Sequence, residues 1–303
     1  MIEFTPFAPS QKSIYAPYLL RAGHRSCAYS FANLYMWGRQ AAAFVENTLI
    51  FFCQFSRRSV YLFPVGCDDL KPAVDAIIQD AAERGIPCRL TGLAQEDRDL
   101  LEALYPGRFH YHFDRDGFDY VYHIDDLADL KGKKYQKKRN HANRFWQNHP
   151  EARFVPITEE NLPVAEALAE AWYAHRQETD PHGDYLMEKI AIGKAMRHFD
   201  TLGMEGLILM DGDTPLAMTM GSLLTQNTFD IHFEKALDIA DGAYAVINQG
   251  FARHLREKYP QLLWLNREDD MGLEGLRKAK LSYYPHHLVE KQWACLMEDG
   301  YEY

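Results

Sequence analysis

Apolar positions along this chain switch between a period of two and a period of about 3.6, so short strands and amphipathic helices follow one another. Ala41-Ala42-Ala43-Phe44-Val45 and Thr48-Leu49-Ile50-Phe51-Phe52 flank a turn at Glu46-Asn47, and Ser59 to Pro64 adds a third apolar run. These runs predict an antiparallel meander. From Asp69 to Arg84, Val74, Ile77, Ile78 and Ala81 recur at helical spacing until Gly85 stops them. Cys88 to Leu90 reads as a short strand. Gln95 to Leu104 reads as a second helix, ended by Pro106-Gly107, and two further strands bracket the turn Asp114-Arg115-Asp116-Gly117.

The same order returns in the second half. Leu162 to His175 and Leu186 to Phe199 carry apolar helical stripes. Leu207-Ile208-Leu209-Met210 and Leu216 to Met220 flank Asp211-Gly212-Asp213-Thr214-Pro215, a hairpin signal. Thr228 to Glu234 is the next strand, Asp241-Gly242-Ala243-Tyr244 opens a helix over Ala245 to Lys258, and Leu262 to Leu265 is another strand. A helix over Leu273 to Lys280 and a last strand over Leu288 to Leu296 close the chain. This element order resembles that of the GNAT acyltransferase fold, present twice. The fold expected is α/β (α+β): two tandem GNAT-like domains, residues 1–150 and 151–303, with mixed, largely antiparallel sheets flanked by helices.

Composition narrows the function classes. A length of 303 residues suits two domains. Hydrophobic residues at 47% and charged residues at 25% allow real cores and argue against disorder. A net charge of −10 speaks against a general nucleic-acid coat, while leaving room for a local basic patch. The five cysteines, Cys27, Cys53, Cys67, Cys88 and Cys295, form no C-x-x-C pair, so buried reduced thiols are expected rather than a zinc site or a disulfide frame. No H-E-x-x-H or EF-hand loop suggests a metal. The N-terminus lacks a signal-peptide pattern and no run reaches about 18 apolar residues. A cytoplasmic protein is expected.

Three stretches carry candidate chemistry. Lys131 to Trp146 reads as a basic helix at the join of the halves, with Lys133, Lys137, Asn140 and Arg144 on one face and Tyr135, Arg139, Ala142 and Trp146 on another. Such a stripe suits phosphates, and it also suits a solvated linker. His232 and Glu234 lie two apart on a strand and so face one way. They fit a base with its orienting partner, or one wet sheet face. The tail releases Asn266, Arg267, Glu268, Asp269 and Asp270 from an apolar strand, followed by Lys278, Lys280, Tyr283, Tyr284 and Pro285. Strand ends of this kind are where α/β folds keep their sites. The plainer readings are an N-cap at Asp269 or Asp270, dipole-stabilising lysines, and packing tyrosines.

Lys133 to Asn140, His232 to Ala236, Gly242 to Asn248, Asn266 to Asp270 and Lys278 to Pro285, with the early run Cys27 to Trp37, resemble the C-terminal catalytic domain family of lysylphosphatidylglycerol synthases. That family is related to the Fem peptidyltransferases and built from tandem GNAT-like domains. The synthases carry an N-terminal membrane flippase; none is expected here, so the resemblance is to the free-standing members. It implies an acyl- or aminoacyl-transferase that draws on aminoacyl-tRNA or acyl-coenzyme A, with no tightly bound cofactor. The acceptor is an amine or hydroxyl on a small molecule, a peptide or a lipid head group. A non-catalytic module binding a phosphorylated ligand is the alternative.

The expected catalytic residues are Lys280, Asp269, His232 and Glu234. The expected substrate-binding residues are Lys133, Lys137, Asn140, Arg144, Gly242, Tyr244, Asn266, Arg267, Glu268, Lys278 and Tyr283. Gly242 stands at the turn that cradles pyrophosphate in GNAT domains, or serves simply as a helix-entry turn. With no recognisable nucleophile elbow, direct transfer is expected rather than a covalent intermediate. Lys280 is preferred over Lys278 as the lysine of the site.

Overall fold

The computed structural model describes residues 1–23, 26–55, 58–66, 69–181 and 183–297; Cys67 lies outside them. In chain order the strands are β1 (Thr5–Pro6), β2 (Arg39–Val45), β3 (Thr48–Phe55), β4 (Arg58–Val65), β5 (Arg89–Leu93), β6 (Phe109–Phe113), β7 (Asp119–His123), β8 (Ala152–Pro156), β9 (Met204–Asp211), β10 (Thr214–Thr225), β11 (Thr228–Ala236), β12 (Trp264–Asn266), β13 (His287–Val289) and β14 (Gln292–Leu296). The helices are α1 (Lys12–Ala22), α2 (Phe31–Met36), α3 (Lys71–Arg84), α4 (Gln95–Leu104), α5 (Ile124–Asp129), α6 (Gln136–Asn148), α7 (Leu162–Thr179), α8 (Leu186–Arg197), α9 (Phe199–Leu202), α10 (Ala243–Lys258) and α11 (Glu274–Leu281).

Two compact units result, and they are not the halves 1–150 and 151–303. The first takes Met1–Asp119, Asp269–Glu274 and the chain from Leu288 onward; the second takes Tyr120–Glu268 and Gly275–His287. Strand pairing is the reason. β7 is claimed by β12, which draws the stretch from Tyr120 to Glu268, including the basic helix α6, into the second unit. β14 returns to pair with β5 on one side and β6 on the other. The single strand expected over Leu288 to Leu296 is therefore split into β13 and β14, which belong to different sheets.

The first unit holds a seven-stranded sheet in the order β1-β2-β3-β4-β5-β14-β6. The helical stripe of α3 meets it: Val74, Ile77 and Ala81 are buried with Ile50, Tyr61, Phe63 and Leu90. Gly85 ends α3 at φ 66, a left-handed cap that glycine adopts without strain. The second unit holds the sheet β13-β7-β12-β11-β10-β9-β8. In each sheet one neighbouring pair is parallel, β4–β5 in the first and β11–β12 in the second. The other registers given for these sheets are antiparallel.

Among the described residues, Cys27, Cys53, Cys88 and Cys295 are buried thiols outside any disulfide. No helix among the described residues is long and apolar enough to cross a membrane.

Candidate active site

The second unit opens a gap in its own sheet. β11 pairs with β12 only over Thr228↔Trp264, Phe229↔Leu265 and Asp230↔Asn266. Past that point β11 runs on to Ala236, whereas the chain after Asn266 stays with β7: Arg267 donates its N–H to the Tyr120 carbonyl, and Tyr120 donates to that of Glu268. Two strands that part leave backbone and side-chain polar groups between them, a natural place for a ligand. Glu268 adopts φ 55 at this point, a strained conformation for a non-glycine residue. The Asn266 side chain helps to hold it, its Oδ1 accepting the Glu268 N–H at 2.7 Å.

A charged network spans the gap. Glu234 of β11 accepts from Arg267 Nη2 at 2.9 Å and from Asn248 Nδ2 of α10 at 3.1 Å. Arg267 lies between two aromatic rings, 5.7 Å from the Tyr122 centroid and 5.0 Å from that of Tyr283. Burial opposes its charge, but Glu234, Tyr122 and Tyr283 more than offset this, and its pKa is raised. From α6, the Nζ of Lys138 sits 3.8 Å from the centroid of the Tyr283 ring. Burial first, and then the charge of Arg267, bring its pKa down to about 8, with Glu234 pulling the other way. Two buried atoms here make no hydrogen bond: Asn248 Oδ1, an acceptor, and Arg267 Nη1, a donor.

A second chain of polar groups lies one step back along β11. His232 bonds through Nε2 to Ser222 Oγ of β10 at 2.9 Å and through Nδ1 to Glu268 Oε1 at 2.9 Å. The His232 side chain is fully enclosed. Asp230, His232 and Glu268 bring ligand-type atoms within 4.8 Å of one another, a donor set that suits a divalent cation. The sequence motifs for metals miss this group because its members come from two separate segments. Lys280 of α11 is buried, and its Nζ donates to the Arg267 carbonyl at 2.5 Å. Tyr122 in turn donates its hydroxyl to the Lys280 carbonyl at 2.8 Å.

The gap thus gathers Glu234, Asn266, Arg267, Glu268, His232, Lys280 and Tyr283 from the residues singled out in the sequence. The others lie elsewhere. Lys133, Lys137 and Asn140 are exposed, and the Asn140 side chain accepts from Gln136. Arg144 is exposed and pairs with Asp241 at 2.7 Å. Lys278 is exposed, one face away from the buried Lys280. Gly242 opens α10 at φ 91, where an added Cβ would sit 2.6 Å from the His141 carbonyl oxygen, so the approach of α6 requires glycine there. Tyr244 takes a hydrogen bond from Trp172 Nε1 at 3.0 Å. Asp269 belongs to the first unit, where Lys291 donates to it at 3.3 Å and to Asp119 at 2.6 Å. Asp270 is fully buried, and its side chain accepts the Gly272 N–H at 3.0 Å, a turn-capping role.

Lys138, Asn248, Tyr122, Ser222 and Asp230 were not singled out. Asn248 had a signal, a polar residue in the run Ala245-Val246-Ile247-Asn248. So did Lys138, which falls on the stripe Tyr135, Lys138, Ala142, Phe145, whose other three members are buried.

Three comparisons bear on this site. The family model described as "Phosphatidylglycerol lysyltransferase, C-terminal" matches residues 21–295, and the chain belongs to that family. A conserved protein of unknown function from Bacteroides thetaiotaomicron VPI-5482 is similar at 36% identity, with a TM-score of 0.92, over 98% of this chain and all of that one. The C-terminal domain of a putative lysylphosphatidylglycerol synthetase from Agrobacterium fabrum has a TM-score of 0.68 at 15% identity, over 96% of this chain and 93% of that one. A tandem GNAT protein from the clavulanic acid pathway shares the fold, with a TM-score of 0.51 at 9% identity, over 99% of this chain and all of that one. The chain thus has the tandem GNAT-like fold expected of it. An uncharacterised protein from Mycoplasmoides gallisepticum is 24% identical over 174 residues, and the match spans 57% of this chain and about half, 54%, of that protein.

Proposed function

We propose that this member of the phosphatidylglycerol lysyltransferase C-terminal family moves an aminoacyl group from aminoacyl-tRNA to an amine or hydroxyl acceptor in the gap between β11 and β12. The observation that carries the reading is the pair of orphaned buried atoms beside Glu234: the Asn248 Oδ1 acceptor and the Arg267 Nη1 donor. Each orphan costs about 1–3 kcal/mol unless something satisfies it. An aminoacyl ester does so for both. Its ammonium donates to Asn248 Oδ1 and lies against the Glu234 carboxylate, and its carbonyl accepts from Arg267. A plain acyl group has no such donor.

The chemistry follows from the same groups. The acceptor attacks the ester carbonyl, and charge develops on the carbonyl oxygen. Preorganised cations in a site with little water stabilise that charge far better than solvent does. Arg267 is the nearest such group, held in place by Glu234, by its own N–H bond to Tyr120 and by Lys280 on its carbonyl. Acyl-coenzyme A has less support as donor, because the Gly242 turn faces the His141 carbonyl.

The test is incubation with labelled aminoacyl-tRNA and, separately, labelled acetyl-coenzyme A, each with amine and hydroxyl acceptors, followed by product mass spectrometry. Aminoacylated product from the tRNA donor alone is expected. Product from acetyl-coenzyme A alone would overturn the choice of donor, and no product from either, with tRNA still bound, would leave a binding module.

The exposed stripe of Lys133, Lys137 and Arg144 fits a role in holding the tRNA backbone. Replacing Lys133 and Lys137 together by Ala is expected to weaken tRNA binding by about 1 kcal/mol per lysine and to flatten its salt dependence. Titration at two salt concentrations checks this, and an unchanged slope would make the stripe a solvated face only.

A further inference from the structure

Transfer to an amine or hydroxyl releases a proton from the attacking group, and few groups at the gap can take it. Arg267 stays charged throughout. Glu234 is committed to Arg267 and Asn248. His232 is enclosed, with both ring nitrogens bonded. Lys280 is buried against the Arg267 carbonyl. Lys138 is partly exposed, as Glu234 and Arg267 are, but it is committed to neither and reaches the network from α6 across the Tyr283 ring.

We propose that Lys138 accepts the proton of the attacking acceptor and returns it to the departing oxygen of the donor. The proposal rests on the transfer reading above. In the step, the nitrogen or oxygen of the acceptor forms a bond to the carbonyl carbon and its proton passes to the neutral Lys138 amine. The bond from that carbon to the donor oxygen then breaks, and the Lys138 ammonium protonates the oxygen, leaving a donor hydroxyl. The amine is restored, and no further reagent is consumed.

The surroundings suit this cycle. The charged groups facing Lys138 are Arg267, from the turn after β12, and Glu234, from β11. On its own side, Lys134 lies over the Tyr135 and Tyr284 rings. Burial and Arg267 bring Lys138 to about 8, so both its forms are present near neutral pH, where a general base is most effective. The Tyr283 face stabilises the ammonium once the proton has arrived.

Two measurements test the role. Labelling with isotopic acetic anhydride across a pH series, read by peptide mass spectrometry, reports the titration of Lys138 without any need for activity. Lys138 is expected to titrate near 8, well below exposed lysines of the same chain. The pH profile of transfer should rise through the same value in the wild type, because the neutral amine is the active form. Lys138→Met and Lys138→Arg should both lose that limb and about 100-fold or more in turnover. Lys138→Arg keeps the charge and the ring contact, so it separates proton transfer from simple electrostatics and stands in if Lys138→Met folds poorly. Full turnover in Lys138→Arg, or titration of Lys138 together with exposed lysines, overturns the proposal and leaves the transfer reading standing. Absence of transfer by the wild type from every donor overturns both.

Discussion

Arg267→Ala is expected to destabilise the protein by about 3–5 kcal/mol, the range for breaking a buried ion pair from one side. Only 13% of the Arg267 side chain and 11% of that of Glu234 are exposed. Removing the guanidinium leaves a carboxylate in the sheet whose one remaining donor among the described residues is the Asn248 amide at 3.1 Å. It also leaves a hole between the Tyr122 and Tyr283 rings. Urea unfolding measures the loss. Adding Glu234→Gln to Arg267→Ala should recover part of it, because the stranded charge is then gone. A single-variant cost below about 1 kcal/mol would mean that the pair behaves as an exposed one.

Lys280→Ala carries the second large effect, and it acts on activity and stability together. The sequence alone suggests Lys280 as the lysine of the site. In the structure its Nζ is bonded to the Arg267 carbonyl, and its own carbonyl takes the Tyr122 hydroxyl. Lys280 thus positions the stretch that carries both Arg267 and the strained Glu268. Its removal should lower turnover by about 100-fold, the scale for displacing one oxyanion donor. It should also cost about 1–3 kcal/mol of stability, for a buried carbonyl left unsatisfied. Because the effect runs through Arg267, it should appear mainly in kcat and only weakly in donor affinity. Lys278→Ala, at an exposed position, should change neither quantity by more than about 0.5 kcal/mol. Wild-type turnover in Lys280→Ala would detach this lysine from the site.

Much of the fold could be read from the hydrophobic pattern. The meander of β2 to β4, the helix α3 up to Gly85 and the Asp211–Pro215 hairpin stand close to where periodicity and turn residues place them. The unit boundary could not be read in the same way. It depends on β7 choosing β12 and on β14 returning to β5 and β6, which are long-range pairings without a local signature. The site shows the same contrast. His232 and Glu234 share a strand face, and alternation is enough to find that. The longest basic stripe drew attention to Lys133, Lys137, Asn140 and Arg144, which face solvent. The more telling position was Lys138, a cation on the apolar stripe of Tyr135, Ala142 and Phe145. A charge placed where periodicity calls for an apolar side chain bears a burial cost that a solvent-facing charge does not. Asp230 lies on the same alternating phase as His232 and Glu234, and Ser222 is a polar residue on the phase of Met218, Met220 and Leu224, so alternation alone reaches both.

The central claim is that the gap between β11 and β12 receives a group bearing an ammonium, recognised by Glu234. The most direct measurement is the rate of aminoacyl transfer from aminoacyl-tRNA by the wild type and by Glu234→Gln, which keeps the shape of the site and removes the charge. Hydrogen bonds to a charged partner are worth about 1.5–3 kcal/mol, so Glu234→Gln should transfer at least about 10-fold more slowly. Equal rates in the two proteins would contradict the claim.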